Sequence, residues 1–86
     1  MSKKQKRLER LCATPSPTDF TWDELLAVME AAGFRAACSG GSHYTFEHTS
    51  GPRLSISKTH PSGILKRYQI EAVIDALRRV GTIKDN

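Results

Sequence analysis

Residues 42–57 read SHYTFEHTSGPRLSIS, and their alternation decides the architecture of the chain. Along the first half, Tyr44 and Phe46 point to one face of an extended strand, and His43, Thr45 and Glu47 point to the other. Arg53 to Ser57 alternates in the same way, with Leu54 and Ile56 on one face and Arg53, Ser55 and Ser57 on the other. Thr49-Ser50-Gly51 between them fits a three-residue hairpin loop, with Gly51 at the position that needs a positive φ. Pro52 has no N–H to donate to a ladder, so it belongs at a strand start or an edge. A loop of this length sets the register. Phe46 falls opposite Leu54, Tyr44 opposite Ile56, Glu47 opposite Arg53, Thr45 opposite Ser55 and His43 opposite Ser57. The apolar face is then Tyr44, Phe46, Leu54 and Ile56. The polar face carries His43, at the strand end that leads to Lys58 and His60.

Reading toward the N-terminus, Gly40-Gly41 makes a corner, and Phe34–Cys38 forms a first strand. Before it, Thr21-Trp22-Asp23-Glu24 is a capping box, with Thr21 at the N-cap and Glu24 three residues on. Phe20 stands where a hydrophobic staple to Leu25 is expected. Trp22, Leu25, Leu26 and Met29 form one apolar stripe, and Gly33 closes a helix over Trp22–Ala32. Trp22, Met29 and Phe34 read as core. Leu8, Leu11 and Cys12 have helical spacing, which allows a further short helix over Lys3–Ala13 before the prolines of TPSPT end it. Toward the C-terminus, Ile70, Val73, Ile74 and Leu77 make a second stripe. Arg78 and Arg79 complement the dipole of its last turn, and Gly81 is the stop. The expected fold is α+β, in the order α-β-β-β-α, with both helices on the apolar face of a three-stranded antiparallel sheet.

The 86 residues make one small domain, with 38% hydrophobic residues and a net charge of +4. The charge is unevenly distributed. Leu11–Phe34 has no Lys or Arg and holds Asp19, Asp23, Glu24 and Glu30. Arg35–Arg67 holds five basic residues, one acid (Glu47) and all three histidines. A third cluster, Lys3, Lys4, Lys6, Arg7 and Arg10, opens the chain. A basic stripe beside an acidic helix suits a polyanion. The two cysteines, Cys12 and Cys38, cannot build a disulfide framework, and they point to unpaired thiols in a reducing compartment. No apolar run has the length of a membrane span, and the basic start lacks the apolar region of a signal peptide. The expectation is a cytoplasmic protein. A zinc site from Cys38, His43, His48 and His60 has no familiar ligand spacing, so no metal or cofactor is expected. His48, at the hairpin loop, is given no role.

The helix, the GF pair, GGSHYTFEH, the hairpin, LSISKTHPSG and the final LKRYQIEAVIDAL together resemble the HicA-type toxins of bacterial toxin–antitoxin pairs. The resemblance covers roughly Phe20 to Val80. Its more specific parts are Gly-Ser-His at the start of the second strand and the His-Pro loop after the third. It implies a fold like that of double-stranded-RNA-binding domains, and activity as a metal-independent RNA endonuclease (an mRNA interferase). It also implies His43 as the catalytic histidine, and a HicB-type antitoxin partner that covers the active face. Residues 1–18 then form a basic N-terminal arm, 19–82 the toxin domain and 83–86 a tail. The chain departs from the family in that arm and in a less basic HPSGILKRYQI loop.

The chemistry agrees with this reading. RNA carries its own nucleophile, the ribose 2′-OH, and needs a base, an acid and cations. An imidazole with an ordinary pKa near 6.5 serves as a base near neutrality. His43 follows two glycines, which allow a phosphate backbone to come close. His60 or Lys58 is the expected acid or charge stabiliser. Gly41, Ser42, Arg53, Lys58, Lys66 and Arg67 are the expected RNA contacts. The alternative is a non-catalytic RNA-binding domain of the double-stranded type, which depends on lysines more than on histidine. Lys66 and Arg67 are a thin version of the lysine-rich helix start of such modules, which favours the enzyme.

Overall fold

A computed structural model of the chain describes residues 3–59 and 63–83. His60, one of the two residues expected to supply the acid, lies outside them. The elements run α1 (Lys3–Leu11), α2 (Trp22–Ala31), β1 (Phe34–Gly40), β2 (His43–His48), β3 (Arg53–Ser57) and α3 (Arg67–Arg79). The strands form one antiparallel sheet in the order β1-β2-β3. All five β2–β3 pairings expected from the hairpin loop are present, from Glu47↔Arg53 to His43↔Ser57. Gly51, with φ 117°, supplies the backbone turn that closes this hairpin. β1 runs two residues beyond the expected Cys38, because the register slips between Cys38 and Gly40. Gly40 and Gly41, with φ 135° and 55°, carry the chain around into β2.

Alternation then places the core. Phe46 and Ile56 are buried against the helices, with Tyr44 and Leu54 half-buried beside them. Trp22 of α2 packs on both aromatics of β2, with ring centroids 5.1 Å from Tyr44 and 6.2 Å from Phe46. α2 begins where expected. Thr21 Oγ1 accepts from the Glu24 N–H at 3.2 Å, and Glu24 Oε1 accepts from the Thr21 N–H at 3.1 Å. Ile70, Val73 and Leu77 of α3 are fully buried, as the apolar stripe requires.

Two parts of the packing do not follow from the periodicity of the sequence. The first is the docking of α1. Leu11 is completely buried, and Arg10 reaches across to pair with Asp19 (2.8 Å) and Glu24. Its guanidinium also lies over the Phe20 ring, 5.1 Å from the centroid. The hydrogen bond to Asp19 and the nearby acids push the Arg10 pKa above its ordinary value. The second is a short crossing between the entrances to α2 and α3. Trp22 N–H donates to Gly63 O at 2.7 Å, Leu65 N–H donates to Phe20 O at 2.9 Å, and Leu65 is buried.

His48 has a structural position. It shares the sheet face of Tyr44 and Phe46, at the far end of β2 from His43. The Ser50 N–H donates to Nδ1 at 3.0 Å, so Nδ1 is the unprotonated nitrogen. Nε2 therefore carries the hydrogen and donates to Ala32 O at 3.1 Å. The ring also meets Phe34 edge-on at 5.1 Å. His48 thus ties the C-terminal end of α2 to the β2–β3 hairpin. A Cβ at Gly33 would stand 3.0 Å from the His48 ring, so glycine serves there both for close approach and for its φ of 95°.

Candidate functional site

His43 is the first residue of β2, one residue after the Gly40–Gly41 corner, and its side chain is exposed on the polar sheet face. Two hydrogen bonds, Lys58 N–H to Ser42 O (2.8 Å) and His48 N–H to Pro52 O (2.9 Å), show which pairs of the ladder are bonded. His43 and Ser57 form a non-hydrogen-bonded pair, the kind in which facing side chains come closest. Ser57 Oγ accordingly lies 3.2 Å from His43 Nδ1, which sets the orientation of the ring.

Ser57 is itself held from α3. Gln69, only 2% exposed, donates from Nε2 to Ser57 O at 2.8 Å. Its Oε1 accepts the Lys66 N–H at 2.9 Å. Gln69 thus does two jobs. It returns to the N-cap of α3, where lysine has no acceptor to offer, and it ties the start of that helix to the strand end that carries His43. A cleft of about 460 Å³ opens at this junction, and His43, Ser57, Tyr68 and Gln69 are among the residues that line it. Thr59 Oγ1 also donates to Ile64 O at 2.6 Å.

Five of the expected RNA contacts gather here. Gly41 and Ser42 form the turn before His43, and a Cβ at Gly41 would meet nothing within 4 Å. Lys58 continues the β3 ladder by one residue, and Lys66 and Arg67 begin α3. Arg53 is on the same face but at the opposite end of β3. Four residues separate it from Ser57, or about 13 Å at the rise of a strand. It pairs there with Glu47 at 2.6 Å. Ser57 was legible as the residue facing His43. Gln69 and Tyr68 were not singled out by the sequence. The one available signal for Gln69 was its spacing, four residues before Val73 and eight before Leu77 on the buried stripe. Cys12 and Cys38 are both unpaired. Among the described residues no cluster of three or more His, Cys, Asp or Glu has metal-binding geometry, and no helix is long and apolar enough to cross a membrane.

The chain is thus an α+β domain of the double-stranded-RNA-binding type in topology, with an oriented histidine at one end of an open sheet face. It belongs to the HicA toxin family of bacterial toxin–antitoxin systems, whose family model matches residues 22–81. No curated protein and no solved structure matches the chain. The matched span begins at the first residue of α2, so α1 lies outside it.

Proposed function

We propose that this toxin is an RNA endonuclease, and that His43 is its general base. The imidazole takes the proton of a ribose 2′-OH. The 2′-oxygen then bonds to the adjacent phosphorus, the P–O5′ bond breaks, and the leaving 5′-oxygen takes a proton from an acid, for which Lys58 and His60 are the proposed donors. The products are a 2′,3′-cyclic phosphate and a 5′-hydroxyl. Because the nucleophile is internal to the substrate, the reaction needs no metal. Lys58, Lys66 and Arg67 bind phosphates, the Gly41–Ser42 turn lets the backbone approach, and Arg53 extends the contact toward the hairpin. A HicB-type antitoxin covers this face, and the toxin works in the cytoplasm.

The observation that carries this reading is the setting of His43, exposed on the polar face and oriented by Ser57 Oγ at 3.2 Å. In the tautomer whose Nδ1–H donates to Ser57, the basic lone pair is on Nε2. Positioned acid–base groups contribute about 10²–10⁴-fold each. The test is His43→Ala against wild type, assayed with RNA in the presence of a chelator. The variant is expected to lose cleavage, to keep its fold within about 0.5 kcal/mol, as exposed substitutions do, and to keep salt-sensitive RNA binding. Cleavage by the variant at the wild-type rate removes His43 as the base. Loss of wild-type activity on adding chelator removes the metal-free mechanism. A wild type that binds RNA without cutting it supports the non-catalytic alternative instead.

A further inference from the structure

We propose that the cleft between Tyr68 and the outer edge of β3 is a nucleobase subsite, which seats one unpaired RNA base next to the ribose that His43 deprotonates. This rests on the endonuclease reading above and adds to it the means by which a single strand is held.

The first observation is Tyr68. It is 65% exposed, and among the described residues it is the large hydrophobic side chain that the fold leaves in solvent. It stands in the first turn of α3, where the buried stripe of that helix does not need it. The second is the cleft. Its volume of about 460 Å³ falls within the roughly 300–1,000 Å³ common for ligand pockets. Tyr68 and His43 both line it, so a base stacked on the tyrosine lies beside the reacting ribose.

The third observation is the edge of β3. The ladder bonds β3 to β2 through Leu54 and Ile56, so the main-chain N–H and C=O groups of Ser55 and Ser57 point away from β2. Gln69 Nε2 takes the Ser57 carbonyl at 2.8 Å. The Ser57 N–H and both main-chain groups of Ser55 remain on the cleft side, as donors and acceptors for the edge of a base. The fourth is charge. Lys66 and Arg67 immediately precede Tyr68 and are exposed, and Lys58 follows Ser57. The Arg67–Glu71 pair, at 3.4 Å and largely exposed, is too weak to occupy that arginine. An aromatic ring flanked by cations is how proteins hold single-stranded RNA, by stacking the base and neutralising the phosphates on either side. A protein strand added to the β3 edge would use the same main-chain groups, but it has no need of the cations.

The test uses a single-stranded transcript with mapped cut sites, and the same RNA with an abasic ribose beside the cut. Tyr68→Ala is expected to raise KM about 5- to 150-fold, the range for loss of one stacked base, with kcat little changed and the melting temperature unaltered. Tyr68→Phe keeps the ring and is expected to behave as wild type. The abasic RNA should raise KM for wild type by a similar factor, and Tyr68→Ala should no longer distinguish the two RNAs. The same comparison in a His43→Ala background, read as Kd by gel shift, tests the subsite apart from cleavage. A Tyr68→Ala variant with wild-type KM and Kd overturns the subsite, while an inactive His43→Ala leaves the endonuclease reading standing. A wild-type rate for His43→Ala overturns that reading alone. If Tyr68→Ala weakens antitoxin binding and not RNA binding, the edge of β3 is a protein dock and the subsite is wrong.

Discussion

Gln69→Leu tests whether the histidine site depends on the docking of α3. Leucine is close to glutamine in volume and has no polar atoms, so the substitution removes two hydrogen bonds without leaving a large void. The bonds are those to Ser57 O (2.8 Å) and from the Lys66 N–H (2.9 Å). A neutral hydrogen bond contributes about 0.5–1.5 kcal/mol net, so the pair is worth about 1–3 kcal/mol. Ser57 and Lys66 are both on exposed residues, where water can replace part of the loss, and this argues against the larger penalty of two orphaned buried groups. A chain of 86 residues has a total stability of roughly 4–13 kcal/mol. The loss is therefore a sizeable fraction, and it corresponds to a melting temperature lower by on the order of 5–20 °C.

The change should also reach the chemistry. Ser57 holds His43 through Oγ, and Gln69 holds Ser57 through its carbonyl. Releasing the carbonyl loosens the strand end, and a displacement of about 1 Å at a reacting group can cost up to about 10²-fold in rate. Urea unfolding at an unchanged m value measures the first effect. Cleavage well below the melting transition measures the second as a fall in kcat. Gln69→Glu keeps the acceptor for Lys66 but sets a carboxylate against the Ser57 carbonyl, so it should be worse than leucine on both counts. If Gln69→Leu melts with wild type and cuts at the wild-type kcat, the link between α3 and His43 is incidental and the reasoning fails.

Leu11→Ala is expected to destabilise the domain by about 2–5 kcal/mol, the usual loss for a fully buried leucine. A change under about 0.5 kcal/mol in urea unfolding, typical of surface sites, would show that α1 is an appendage to the core. His48→Ala removes a ring with bonds to Ala32 and Ser50 and an edge contact to Phe34, and should cost about 2–3 kcal/mol. Its kcat/KM on RNA should stay at the wild-type value, and a loss of cleavage without a loss of stability would mean that His48 takes part in the reaction.

What the sequence made legible depended on how many residues had to agree. The β2–β3 register was legible in full, because period-two alternation on both strands and a loop of three residues have one common solution. The start of α2 was legible because Thr21 and Glu24 satisfy each other locally. The place of α1 was not, because Leu8, Leu11 and Cys12 at helical spacing allow a helix without naming what it packs on, which shows only where Arg10 pairs with Asp19 and Glu24. His48 was passed over because it stands at the hairpin loop, although alternation places it on the face of Phe46.

The site divides along the same line. His43 facing Ser57 follows from the register, and so does a polar face around them. Where the start of α3 lies relative to them is set by Gln69, Leu65 and the crossing at Gly63; Leu65 and the crossing have no periodic signature, and the spacing of Gln69 on the buried stripe says that it is buried but not what it bonds. Arg53 shows the consequence. It is basic and on the correct face, yet it lies about 13 Å along the strand from Ser57 and opposite an acid. Lys66 and Arg67 are distant in sequence from the histidine, and the Gln69 bridge brings their helix end to it. The polarity of a surface can be read from the sequence one strand at a time. The position of the α3 start relative to the His43 strand end depends on a buried amide that joins the two elements, so if Lys66 and Arg67 bind RNA as proposed, its binding should respond to Gln69 as well as to the charges themselves.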